Sequence, residues 1–265
     1  VNSSTDSGDT VNTGAITAAS LSTLNVTGGA AAITVGAVGA AALTSLSTTS
    51  TTGEITVGNI AASALSSIAL TSSGTAGVIV GTIGTTGSLN SISMTSGTTL
   101  ASDMDLGAIT ATGSQISTYT VNLAGTYGAS SIGALAAEGL GAVTINALGG
   151  AGTSFTTGDV SITGVALAGA GNIGNIAITS ADNVVIGGFA TANVANTTGS
   201  IGNYDVSLSG AFGASTLGNI SVGDTSNADM GNITLTTTGS GGTTLTMGTV
   251  GTQDGNIGNV TVTSA

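Results

Sequence analysis

A seven-residue phrase returns ten times along the chain and limits its possible folds more than any other feature. Its clearest copies are Ile173-Gly174-Asn175-Ile176-Ala177-Ile178-Thr179 and Ile257-Gly258-Asn259-Val260-Thr261-Val262-Thr263, and the others begin at Leu21, Leu43, Leu65, Leu89, Ile116, Leu140, Ile201 and Met230. The last four positions alternate apolar and small polar residues, the period of a strand with one buried face. The two residues after the leading apolar one, Gly-Asn in late copies and Ser/Thr pairs in early ones, suit a bend. Each copy therefore reads as a corner followed by a short strand. Leu46-Ser47-Thr48 is the poorest copy.

A second phrase, [I/V/L/M]-x-[V/L/M/T]-G-x-[I/V], alternates with the first. Clear copies occupy 11–16, 33–38, 55–60, 78–83, 104–109 and 245–250, with weaker ones near Ile132, Phe155, Val184 and Leu217. Its Gly fits a sharp bend where a side chain would obstruct the neighbouring backbone.

First phrases follow one another at 22 to 33 residues. A unit of this length cannot bury its own apolar face and must stack on a copy of itself, which is the logic of a solenoid. No helical periodicity intervenes. The expected fold is all-β: a parallel β-solenoid of about ten coils, with two or three short strands per coil, forming a rod roughly 50 Å long. It forms a single domain, 1–265, with half-coils at 1–20 and 255–265. The longer spacings place loops between phrases on one side of the rod. A second periodicity lies on the first: 116–135 matches 201–220 at an offset of 85, and 152–160 matches 242–250 at 90, a duplicated block of about three coils.

Composition removes most chemistry. The sequence holds no Lys, Arg, His, Cys, Pro or Trp, and its formal charge is −12. Nucleic-acid binding by counterion release has no cations to work with. The same charge repels anionic lipid. No apolar run approaches the roughly 18 residues of a membrane helix, and six aromatic residues do not supply the girdles of a membrane barrel. No membrane insertion is expected. A chain that is 40% hydrophobic and 5% charged should fold rather than stay disordered. The first residue is Val1, with no basic-then-apolar leader before it, which reads as a processed product.

In composition and repeat grammar nearly the whole chain resembles the Gly/Ala/Ser/Thr-rich β-strand-repeat proteins of microbial cell surfaces, among them β-solenoid surface-layer, adhesin and filament subunits. The resemblance implies an extracellular structural role. The calcium-binding nonapeptide G-G-x-G-x-D of some surface-layer proteins does not occur here. Two functional classes follow: a self-assembling subunit of a filament, sheath or surface layer, whose partner is itself, and an adhesin stalk or glycan-binding module, whose partners are cell-surface glycans. The second should show a cluster of aromatic or acidic residues on one coil face, which the sequence lacks.

No enzyme is expected, because carboxylates are the only acid–base groups and no aromatic platform accompanies them. Asp103 and Asp105 flank an inward Met104 and should point outward together, as ligands for a hard cation such as Ca²⁺ or simply as solvated acids. Asp224 with Asp229, and Asp6 with Asp9, are weaker pairs of the same kind. Asn2, Asn25, Asn196, Asn219, Asn232 and Asn259 stand in N-x-[S/T] sequons and are candidate glycan acceptors. The plainer reading of the recurring Gly-Asn is a turn residue or an intercoil ladder. Thr-x-Thr pairs suggest an ice-binding face, but they occur only sporadically. The phrases place Ile55, Val57, Ile176, Ile178, Val260 and Val262 in one core. Because the first recognisable element is a lone second phrase and the last a lone first phrase, the expected assembly interface joins Val11 and Ile16 of one copy to Ile257, Val260 and Val262 of another, head-to-tail.

Overall fold

The computed structural model describes residues 1–2, 10–149, 153–163, 171–191, 199–210, 212–223, 228–239 and 243–265. Within them every regular element is a β-strand, and every strand pair is parallel. Parallel neighbours need a crossover, and here the crossover is the rest of the coil. One coil shows the plan. Ile55–Val57 runs along a first wall, Gly58-Asn59 turns the corner, Ile60–Ala62 follows a second wall, and Ser67–Ser72 forms a third. The chain then returns so that Val78–Val80 lies in register on Ile55–Val57.

The first wall stacks ten strands, from Thr10–Thr13 to Thr244–Met247, so nine full turns separate its ends. The second and third walls belong to one eighteen-stranded sheet, because Ile109–Gly125 and Leu135–Gly149 run through both walls without a break. The solenoid expected from the repeats is therefore present, with three strands per coil.

Register puts like on like. Leu24, Leu46, Ile68, Ile92 and Tyr119 are successive partners on the third wall, and Ile33, Ile55, Val78 and Met104 on the first. All nine are buried. Each fully buried side chain of this kind contributes about 1.5–3 kcal/mol, and a slip of one residue would turn a whole row to solvent. Ile55, Val57, Ile176 and Ile178 lie in this core as expected. The inward position between Val26 and Leu70 is taken by Thr48, whose buried hydroxyl has no partner.

The second-phrase glycine sits where its corner crosses the backbone of the coil before. A Cβ on Gly36 would lie 2.8 Å from the Ala15 nitrogen, one on Gly58 2.9 Å from that of Ala37, and one on Gly133 2.5 Å from that of Ala108. Backbone cannot yield as a side-chain tip can, so the position excludes every other residue.

The duplication is a duplication of interior parts. Tyr119 and Tyr204 fill equivalent core positions, as do Tyr127 and Phe212. Ser130 accepts the N–H of Met104 at 2.9 Å, and its counterpart Ser215 accepts that of Val184 at 3.0 Å.

One expectation changes. Val260 and Val262 are not in the core: they are 61% and 69% exposed, because Val260–Ser264 pairs on one side only and no first-wall strand of the same level faces it. At the start of the chain Thr27 donates its N–H to the Val1 carbonyl at 2.8 Å and Asn2 bridges Thr27, extending the third wall. The longest interphrase segments include 164–170, 192–198 and 224–227, which lie outside the described residues, so their expected placement on one side of the rod is not described.

Candidate functional site

The corners carry the most regular polar chemistry. At several corners, most of them in the later coils, an Asx or Ser side chain of the preceding coil accepts a corner N–H. Asn175 accepts from Asn203, Asn203 from Asn232, and Asn232 from Asn259, at 2.9–3.0 Å. A second file runs beside it: Asn172 accepts from Ser200, Ser200 from Asp229, and Asp229 from Asn256. At the other corner Asn59 accepts from Thr82, Asp159 from Gly188, and Asn219 from Thr249. The recurring Asn is thus a ladder residue, joined side chain to backbone rather than amide to amide. Among the described residues two amides meet on the third-wall face, where Asn146 donates to Asn122 at 2.7 Å.

The sequon residues Asn25, Asn219, Asn232 and Asn259 are exposed, as is Asn2. Asn219 and Asn232 are already engaged through their side-chain oxygens. Asn196 lies outside the described residues, as do Asp6, Asp9 and Asp224.

Met104 and Leu106 point inward, leaving Asp103 and Asp105 half-buried on the outer side. Each reaches toward the next coil: Asp103 accepts the N–H of Ala129 at 2.8 Å, and Asp105 the hydroxyl of Ser131 at 2.6 Å. Asp103 therefore serves an intercoil N–H as the corner Asn residues do. No group of three or more acidic residues that could hold a metal ion occurs among the described residues.

The third-wall exterior is more ordered than the scattered Thr pairs suggested. Thr27, Thr49, Thr71 and Thr95 stand in register, followed by Asn122 and Asn146, then Thr179, Ser207, Thr236 and Thr263. Variable loop lengths hide this file in the sequence. The adjoining file is broken by Ala69, Ala177 and Asp205, so a paired threonine face does not form.

The two ends of the rod are open. At the first, Thr10–Thr13 and Ile16–Thr17 each have a neighbour on one side only, and Val11 and Ile16 are half-buried. At the other, Thr244–Met247, Val250–Thr252 and Val260–Ser264 are equally one-sided. Phe212, Leu235, Leu245, Met247 and Val262 line a cavity there, and Ile257 is 38% exposed. All five residues expected at an assembly interface thus lie on these faces.

Sequence reasoning missed one interior site. Tyr127 donates its hydroxyl to Asp182, which also accepts the N–H of Gly149 at 2.8 Å. The ring reaches a coil two turns away because Gly149 has no Cβ to obstruct it. Burial, then the hydrogen bond and charge of Asp182, push the Tyr127 hydroxyl far above its ordinary pKa.

Compared with protein-family models, curated proteins and solved structures, the chain matches none. Among the described residues no helix is long and apolar enough to cross a membrane.

Proposed function

We propose that the chain is a structural subunit of an extracellular filament, sheath or surface layer, and that subunits stack head-to-tail through their open coil faces. One observation carries this reading. The corner glycines of the later coils are required by the backbone of the coil before, yet Gly14, in the same file, has nothing within 4 Å of where its Cβ would be. The open face keeps the shape that receives another coil.

The opposite face supplies that coil. Thr244–Met247 would run beside Thr10–Thr13 of the next copy, and Val250–Thr252 beside Ile16–Thr17. Val260 and Val262 would pass beneath Leu24 and Val26, where the file of partners leads. Val262 then takes the place that Val1 holds under Val26 in the single chain. The corner acceptors Asn256 and Asn259 stand ready for the next N–H groups in their files. Because the two faces differ, such a contact propagates instead of closing on itself. The extracellular placement rests on the resemblance in composition and repeat grammar.

Paired glycine variants test the reading by sedimentation and circular dichroism. Gly14→Val should fold as the wild type does and fail to polymerise, whereas Gly36→Val should lose stability by about 1–3 kcal/mol through its clash with Ala15. Gly14→Val assembling as the wild type does would overturn the proposal.

A further inference from the structure

The strand Thr23–Gly28, first of the long third-wall strands, is not bare on its outer edge. The Val1 nitrogen donates to the Asn25 carbonyl at 2.7 Å, the Val1 carbonyl accepts the Thr27 N–H at 2.8 Å, and Asn2 bridges Thr27 in parallel. Val1 thus lies beneath Val26, which is 1% exposed, whereas Val262 on the opposite face is 69% exposed. The files of partners show what these two residues imitate. Val262 and Thr263 pair with Leu235 and Thr236, and the same two files lead along the rod to Val26 and Thr27. In an interior coil the two positions are filled by Val121-Asn122, paired with Met94 and Thr95. Val1-Asn2 is the same dipeptide, set in the same register at the edge of the rod.

We propose that Val1-Asn2 is a built-in plug on the receiving face, which a second copy of the chain must displace in order to join the rod. The inference rests on the head-to-tail reading above and adds its regulation. Two strands cannot hold one edge: the Val1 carbonyl already takes the Thr27 N–H that the Val262 carbonyl of an incoming copy would take. Exchange favours the incoming strand, because Val260–Ser264 brings five residues to the edge and buries Val260 and Val262, which are 61% and 69% exposed in the single chain. Among the described residues no strand covers the outer edges of Thr10–Thr13 and Ile16–Thr17. Contact can therefore begin on the first two walls, with the third-wall exchange following. The plug slows joining and keeps dilute subunits apart without abolishing the contact.

The chain contains no Cys, so one engineered disulfide can lock the plug in place. Asn2→Cys combined with Thr27→Cys puts two thiols on bridged neighbours of adjacent strands, a separation within the range a disulfide spans. In sedimentation the reduced variant should polymerise as the wild type does, the oxidised form should remain as single rods, and reductant should restore polymerisation. Equal polymerisation of the oxidised and reduced forms would overturn the plug and leave head-to-tail stacking standing. Deleting Val1 and Asn2, which removes no core strand, is the second variant. It should lower the critical concentration for polymerisation about tenfold, roughly the worth of two net backbone hydrogen bonds. An unchanged or raised critical concentration would overturn the plug. Single rods in every form, the deletion included, would overturn the stacking reading and the plug with it.

Discussion

Single positions decide whether one coil can lie on the next. The corner glycine was legible from sequence because it recurs at a fixed place in a short phrase, and the distances from its missing Cβ give the steric reason. Thr48 was legible as a misfit for the same reason. Its hydroxyl is buried and unpartnered in a row of Leu, Ile and Val, so Thr48→Val should raise stability by about 1 kcal/mol in denaturant titration. The Tyr127–Asp182 pair was not legible: its members are 55 residues apart, and no local pattern announces a ring that crosses an intervening coil. Tyr127→Phe keeps the ring and removes the donor, and should cost about 1–3 kcal/mol in the same titration.

Among the strands and corners, alternation revealed the strands and the phrases revealed their order, whereas the division of each coil into three walls needed the structure. In the fifth and sixth coils two walls run on as one strand, a distinction that alternation cannot make. The ladders were visible as recurring Asn but not in their direction. Each side chain serves the N–H of the following coil, so a rung can be removed without touching the core. Asn203→Ala should free the Asn232 N–H, lower stability by about 0.5–1.5 kcal/mol, and speed hydrogen exchange at Asn232 more than at Asn175. Equal exchange at both positions would show that the rung contributes nothing locally. The threonine file along the third wall escaped sequence reading because loops of different length separate its members.

Taken whole, the molecule is a rod with an acidic composition, a core without Lys or Arg, and all three of its tyrosines buried. Burial raises the Tyr119, Tyr127 and Tyr204 hydroxyls well above their ordinary value of 10.0. The unfolded chain therefore releases these protons at lower pH than the folded one. Their contribution to stability is complete below about pH 10 and falls as pH rises above it. Tyrosine ionisation and loss of β-sheet circular dichroism should coincide in one alkaline step, and tyrosines that titrate first in an intact fold would refute this. The same rod has two unlike open faces, and stacking them is the central claim. Electron microscopy with fibre diffraction of the purified 265-residue chain measures it most directly. Stacking predicts unbranched filaments one rod wide, a reflection along the axis at about 4.8 Å, and a subunit repeat of roughly 48 Å from ten coils. Separate rods of that length at every concentration would contradict it.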